Sequence, residues 1–354
     1  MRYPQLTIDL KKLTHNVEVM VKLCRGSGIS VMAVGKACCG DMAVTRALCD
    51  GGADWIGDSR LKNLTVFKNE GIEKPLCLLR LPMLSEVQEL VQVADVSLVS
   101  ELATVKALSE AAKSQGRKHK IILMVDLGDL REGLMPYDIM SAAKHIAGLK
   151  GVELYGIGAN FACYGCVKPT YEKLAQLVSI ADDIRTATGL PLPIVSGGNS
   201  ASVPLLPDRV PSGITQLRLG ETILLGKETV DRQAIPGAYL DVFSLSCEVI
   251  ELQEKPSLPD GELCTDAFGN LPAFVDKGIR KRAILAIGRH DVIIEGLDPV
   301  DQGAEILGAS SDHLIMDVTD IARPLDVGSI IKFNLRYGAL ITGMLSPYVT
   351  KVYL

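Results

Sequence analysis

The 354-residue sequence has no apolar run near the ~18 residues that a membrane-crossing helix needs. Its mean hydropathy is nonetheless positive, at +0.24. The longest apolar stretches, such as residues 121–125, are strand-sized and end at Asp126. A basic excess is also missing. Lys and Arg number 37 against 42 Asp and Glu, for a formal net charge of -5. Nucleic acids and anionic membranes select basic surfaces, so neither is expected as a partner. No signal-peptide pattern opens the chain, because residues 1–10 alternate polar and apolar side chains and run into Lys11 and Lys12. The nine cysteines are odd in number and scattered, which does not describe a disulfide scaffold. Cys163 and Cys166 form one Cys-x-x-Cys, yet no second pair or clustered histidine completes a zinc site. None of the five histidines (His15, His119, His145, His290 and His313) is spaced with acids or cysteines as a metal site. No metal is expected, and the expected setting is a reducing cytoplasm.

What is present suits a folded protein. Hydrophobic residues make up 47% and charged residues 22%, which excludes a disordered or fibrous chain. The length suggests two domains at roughly 150 residues each. Eight β-rich runs recur at residues 31–35, 54–57, 76–80, 96–100, 121–127, 155–161, 193–196 and 216–219. Helical patterns lie between most of them. Residues 101–115 read as a helix opened by Ser100 as N-cap and closed by Gly116. Residues 170–188 read as another, with Leu174, Leu177, Val178, Ala181 and Ile184 on one face. Eight such units predict an α/β fold, a closed TIM (β/α)8 barrel. An open doubly wound sheet is the rival, but its Gly-x-Gly-x-x-Gly turn does not occur. After about residue 230 the runs shorten, at 243–252, 282–287, 314–318 and 330–335, between Pro, Gly and Asp. This predicts a mostly β second domain. The expected division is a barrel over 10–232 and a β-rich domain over 233–354, joined by residues 1–9.

Chemistry in such a barrel sits where strands end at their C-terminal side. The candidates there are Lys36, Asp58, Arg80, Arg131, Asn160, the loop 196–200 and the stretch 218–221. Lys36 follows Val-Met-Ala-Val-Gly. A lysine poorly solvated at a strand mouth has a lowered pKa and a free amine that condenses with aldehydes. A lysine snorkelling from a strand end is the alternative. Ser196-Gly197-Gly198-Asn199-Ser200 presents backbone and side-chain donors, as a phosphate cup or as an ordinary glycine turn. Arg218, inside a barrel, needs an acceptor: a ligand ring nitrogen, a carboxylate or a structural ion pair. Residues 124–133 deliver Asp126, a Gly128 turn, Arg131 and Gly133 from a buried-looking strand.

In order and spacing these motifs resemble the alanine racemase family of pyridoxal-phosphate enzymes, and within it the ornithine racemase branch. The resemblance spans nearly the whole chain. It rests on Thr7-Ile8-Asp9-Leu10 with Leu13, His15, Asn16 and Val17, and on Ala33-Val34-Gly35-Lys36-Ala37. It rests further on Val125-Asp126 with Gly128, Arg131 and Gly133, on Asn199-Ser200-Ala201, and on Arg218-x-Gly220. In the second domain Ser311-Asp312-His313-Leu314 with Asp317 takes the place of a Met-Asp-Gln motif.

The resemblance implies that Lys36 carries pyridoxal 5'-phosphate covalently and then works one face of the substrate Cα. It implies that Asn199, Ser200 and the backbone of Gly220 and Glu221 hold the phosphate. Arg131 would lie near the phenolic oxygen and the substrate, Asn160 would stack on the ring, and Arg218 would face its nitrogen. An arginine stays protonated, so that nitrogen is then an acceptor and the ring a weaker electron sink. The family's second base is a tyrosine from the partner's second domain, which implies a homodimer. Here residues 261–269 contain no tyrosine. Phe268 cannot move a proton, and Asp266 is the nearest titratable candidate. A tyrosine expected four residues after the lysine is also absent, with Cys39 and Gly40 nearby. Ser311, Asp312 and Tyr348 are the implied substrate contacts. Asp266, Asp312 and Glu221 are candidate partners for a basic substrate side chain. The expected activity is interconversion of L- and D-ornithine. Racemisation of alanine, serine or lysine, a non-catalytic cofactor carrier, and a metal-dependent aldolase or dehydratase are the alternatives.

Overall fold

In the computed structural model the described residues are 2–265, 268, 269, 271 and 273–354. The chain divides into two compact units, residues 10–240 and residues 1–9 with 241–354. Strand β1 (Gln5–Ile8) belongs to the second of these and helix α1 (Leu10–Arg25) to the first.

The first unit alternates strands and helices as β2 (Ser30–Val34), α2 (Met42–Asp50), β3 (Trp55–Asp58), α3 (Leu61–Asn69), β4 (Leu76–Leu78) and α4 (Val87–Val93). It continues through β5 (Val96–Val99), α5 (Leu102–Ser114), β6 (His119–Met124), α6 (Pro136–Ala147), β7 (Val152–Gly158) and α7 (Tyr171–Thr188). It ends with β8 (Ile194–Ser196), β9 (Gln216–Leu219) and α8 (Glu221–Leu225). Strands β2 to β9 pair in parallel and close into a barrel when β9 meets β2, with Ser30 opposite Gln216. All eight anticipated strands are present, within a few residues of their expected bounds. The strands are buried on both faces, which is why they read as continuous apolar runs rather than alternations. Met32, Cys77, Val96, Leu98, Ile122, Met124 and Ile194 form a packed core cluster, with Trp55, Leu79 and Tyr155 against it.

Local chemistry sets the helix ends. Thr170 caps α7 by accepting from the Lys173 N–H at 3.3 Å, and Gly189 closes it with φ 69°. Leu174, Leu177, Ala181 and Ile184 form its buried face. Burying each leucine or isoleucine contributes about 2 kcal/mol. Helix α5 departs from expectation. Its cap position is Glu101, extended and without a side-chain cap bond, while Ser100 is buried one residue earlier. Packing of Val105, Leu108 and Ala112 takes over what the cap was expected to provide.

The second unit is a mixed sheet of eight strands. It comprises β1, β10 (Phe243–Pro256), β11 (Ile279–Leu285), β12 (Leu297–Pro299), β13 (Glu305–Ala309), β14 (Leu314–Asp317), β15 (Ile330–Leu335) and β16 (Thr350–Tyr353). The path runs β12-β15-β10-β11-β14-β13 with antiparallel neighbours, and β1 pairs with both β10 and β16. One nine-residue helix, α9 (Tyr337–Leu345), was not anticipated from the sequence.

Candidate active site

The barrel's closing strands build a donor-rich cup. The loop after β8 turns at Gly198 with φ 108°, where a Cβ would lie 2.7 Å from Ser202 Oγ and 2.9 Å from Phe161. Only glycine fits that conformation in that space. Asn199 follows, and its Oδ1 accepts from the Ala201 N–H at 2.9 Å while its Nδ2 donates to the Phe161 carbonyl at 2.8 Å. Those two bonds fix which way the amide points. Ser200 is buried, and its Oγ accepts from the Gly220 N–H at 3.3 Å and the Thr222 N–H at 3.2 Å. The loop after β8 is thus tied to the turn after β9. Thr222 Oγ1 is buried beside them with no hydrogen-bond partner among the described residues.

Arg218 rises from β9 into the barrel interior and is only 5% exposed. Its Nη1 donates to Ser196 Oγ at 2.5 Å, and its Nη2 donates to the Ala159 carbonyl at 2.7 Å. No carboxylate stands within ion-pair distance of it among the described residues. Burial therefore pulls its pKa down to about 10, although the charge of Glu132 works the other way.

Lys36 follows β2 and opens a short 3-10 turn, Lys36–Cys38. Its side chain is open to solvent at the strand mouth, yet enough protein surrounds the ammonium to cost it hydration. Burial is the largest cause of its lowered pKa, and Arg131 and Arg218 lower it further. Cys163 and Glu132 oppose the shift. Arg131 is delivered by the loop after β6. There Asp126 accepts from the N–H groups of Gly128 and Leu130 at 2.8 and 3.2 Å. Gly133 closes the loop with φ 135°, and a Cβ there would meet the Asp126 nitrogen at 2.4 Å. This contact explains the second glycine of the motif. Glu132 grips Arg131 in a fork, with Nη2 to Oε1 at 2.5 Å and a second bond from Nε. The Glu132 hydrogen bond is also the main reason that Arg131 is held above the ordinary arginine range. The remaining nitrogen, Nη1, donates to Cys163 Sγ at 2.6 Å.

Asn160 sits among these cations, buried at 7% exposure. With its oxygen toward Asn199 Nδ2, at 3.0 Å, its own amino group faces the Arg131 guanidinium. With the amide turned, its oxygen accepts from Arg131 at 2.9 and 3.2 Å and its amino group faces Asn199 instead. Either way, donor meets donor. The centre of the site is short of an acceptor.

Lys36, Arg131, Asn160, Asn199, Ser200, Gly220 and Glu221 follow the C-terminal ends of barrel strands, and Arg218 is on β9 itself. Glu221 opens α8, and its carboxylate is paired with Arg232. Asp58 is fully buried at the end of β3, accepting from the Arg60 N–H and Asn63 Nδ2, with no partner for Oδ2 among the described residues. Burial raises its pKa. Arg80 pairs with Glu86 at 3.2 Å. Ser311, Asp312 and Tyr348 lie in the other unit. Ser311 Oγ donates to Asp312 Oδ2 at 2.6 Å between β13 and β14, and Tyr348 is exposed between α9 and β16. Asp266 lies outside the described residues. Among the described residues no group of three His, Cys, Asp or Glu is placed to hold a metal. No helix among them is long and apolar enough to cross a membrane.

Two residues at the site escaped the sequence reading: Glu132 and Thr222. Glu132 occupies a variable position of the arginine motif. Thr222 lies just beyond the Arg218-Leu219-Gly220-Glu221 stretch.

Comparison with known proteins agrees with this arrangement. Residues 8–227 match the family model described as alanine racemase, N-terminal domain. The chain is 49% identical over 351 residues to an ornithine racemase of Acetoanaerobium sticklandii, covering 99% of each chain. It is 42% identical over 354 residues to a lysine racemase of Thermotoga maritima, covering 100% of this chain and 99% of the relative. In structure it is similar to an alanine racemase of Clostridium difficile 630, with a TM-score of 0.75 and 18% identity, covering 100% of this chain and 96% of the other. The strand-end lysine, the buried arginine and the serine-lined cup all lie within residues 8–227, and the chain belongs to the alanine racemase family.

Proposed function

We propose that the protein is a pyridoxal-phosphate-dependent amino-acid racemase that interconverts L- and D-ornithine. The observation that carries this reading is an amine of lowered pKa, Lys36, set among the cations Arg131 and Arg218, where donors outnumber acceptors. The end-to-end similarity to an ornithine racemase supports the substrate assignment. Lysine, one methylene longer, is the second substrate, favoured by the similarity to a lysine racemase.

The residues fit pyridoxal phosphate on three counts. The cup of Asn199, Ser200, Gly220 and the Glu221 N–H would hold its phosphate, and the unpartnered Thr222 hydroxyl supplies a further donor. Arg218, a buried guanidinium without a carboxylate, would face the ring nitrogen. Arg131 and Asn160 would meet the phenolic oxygen, the acceptor their donors lack. When bound, the cofactor takes up the electron pair left on the substrate α-carbon. Lys36 would anchor it and would take or return the proton at that carbon on its own face. Arg131 orients the substrate carboxylate, its guanidinium kept charged by Glu132. Arg218, which stays protonated, would leave the ring nitrogen an acceptor and so would favour return of the proton to the α-carbon over loss of the amine.

Proton exchange on the opposite face is assigned to Asp266, brought by the β-rich unit of a second copy in a cytoplasmic homodimer. The same unit would bring Ser311, Asp312 and Tyr348 to the substrate. Asp312 is the carboxylate proposed for the side-chain ammonium, because Glu221 is already paired. Chiral chromatography of L-ornithine incubated in heavy water tests the whole reading. D-ornithine with deuterium at Cα is expected from the native protein and none from K36A. A colourless protein after reconstitution, or inversion by K36A at the native rate, would refute it.

A further inference from the structure

Cys163 and Cys166 belong to the loop between β7 and α7, and racemisation as described uses neither. Both thiols are free and exposed, whereas Cys24, Cys38, Cys77 and Cys247 are buried. The loop is tightly held. Its ends are tied by the Ala162 N–H donating to the Val167 carbonyl at 2.8 Å. Asp129 accepts from the N–H groups of Cys163 and Tyr164 at 3.1 and 3.4 Å, and its carbonyl accepts from Gly165 at 2.9 Å. Tyr164 and Gly165 form the tip, so the two cysteines flank it. The Ala162–Val167 hydrogen bond closes the chain immediately outside the two cysteines, and a disulfide between them requires their Cα atoms to come within ~7 Å. Cys163 also accepts from Arg131 Nη1 at 2.6 Å. With Nε and Nη2 committed to Glu132, this sulfur is what Nη1 rests against.

We propose that Cys163 and Cys166 form a peroxide-responsive dithiol at the barrel mouth, and that their oxidation to a disulfide detaches Arg131 from its loop. The Cys163 sulfur attacks one oxygen of hydrogen peroxide and the O–O bond breaks. A sulfenic acid forms, and the departing hydroxide takes up the thiol proton as water. Cys166 then attacks the Cys163 sulfur, the S–O bond breaks, and a second water leaves. Two thiols are oxidised and one peroxide is reduced to two waters. The Arg131 guanidinium beside the sulfur stabilises the negative charge on the departing hydroxide as the O–O bond breaks. Once bonded to Cys166, the sulfur is a poorer acceptor drawn toward the loop tip, and Nη1 loses its rest. Arg131 is then held by the Glu132 fork alone and can pivot about it, and misplacement of a substrate-positioning group by about 1 Å costs on the order of 10²-fold in rate. Peroxide is smaller than any amino acid, and both thiols are exposed to it.

The loss of activity rests on the proposed racemase function, whereas formation of the disulfide does not. The test treats the pyridoxal-phosphate-loaded protein with hydrogen peroxide and maps the peptide carrying both cysteines by mass spectrometry, with racemisation measured in parallel. That peptide is expected to lose the mass of two hydrogen atoms as the rate falls, and dithiothreitol is expected to restore both. In C166S, dimedone is expected to trap a sulfenic acid at Cys163. In C163S, the fractional rate loss at the same peroxide dose is expected to be at most about a tenth of that in the unmutated protein. A peptide that stays reduced while the rate falls would overturn the proposal. So would a C163S variant as sensitive as the native chain, or a disulfide that forms with no loss of rate.

Discussion

Replacing Arg218 by methionine separates fold from function in this barrel. Methionine is similar in length, uncharged and able to fill the same channel. In the native chain, burial pulls the guanidinium down from the ordinary arginine range to about 10. That corresponds to about 3 kcal/mol against folding at neutral pH, where the group is charged in both folded and unfolded chains. Because the folded value lies below the unfolded one, the cost is complete below pH 10 and is relieved only as pH rises above it. R218M removes this cost but takes a donor from Ser196 Oγ and from the Ala159 carbonyl, about 1–3 kcal/mol each. The freed Ser196 hydroxyl can rotate to donate, which recovers part of that loss. The two sides nearly cancel, and R218M is expected within about 2 kcal/mol of the native protein. Urea unfolding of the cofactor-free protein measures this through Trp55, the sole tryptophan, which lies on β3 in the barrel. Racemisation is expected to fall by at least about 10²-fold in the same variant. A stability loss above about 4 kcal/mol would mean that Arg218 is a structural tie rather than a group held ready for a ligand.

Three further outcomes follow from the same geometry. S200A leaves the N–H groups of Gly220 and Thr222 without their acceptor, and is expected to weaken pyridoxal-phosphate binding about tenfold. A fluorescence titration that returns the native affinity would remove Ser200 from the cup. E132Q keeps the shape of the fork but drops its charge, and Glu132 is one of the groups holding the Lys36 pKa up. The Lys36 titration in the cofactor-free protein, followed by NMR of ¹³C-dimethylated lysines, is therefore expected to move lower, and a rise would contradict the placement of Glu132. His119 is buried beside Ser97, and burial lowers its pKa to about 4 from 6.5. The unfolded chain binds the proton first, so stability is full above pH 6.5 and falls by about 3 kcal/mol as pH drops to 4. H119Q should flatten that slope in urea midpoints taken at pH 7 and pH 4, and an unchanged slope would assign the acid sensitivity to other groups.

The barrel was legible because its strands are buried on both faces and its turns are punctuated by glycine. Period and punctuation survive in one dimension. The same holds for Gly133 and Gly198, whose positive φ and lack of space admit one residue type and so mark the loops that carry Arg131 and Asn199. Helix α9 was not legible. Residues 337–345 are so uniformly apolar that no polar face marks the helical period, and length alone does not separate them from a buried strand. What Glu132 and Cys163 do at the site was hidden for a different reason. Each acquires meaning only through Arg131, and one of them reaches it from a loop 32 residues away. A motif records which positions must hold one residue type. It does not record which variable neighbours set the orientation of an arginine that the motif already contains. Arg131 shows the consequence: its five N–H groups are divided between a carboxylate next in sequence and a thiol on another loop, leaving few directions in which to meet a ligand. The orientation of the arginine in this site therefore depends on the two residues that it bonds. Substitutions at 132 and 163 are the ones expected to change how the arginine acts without changing whether the barrel folds.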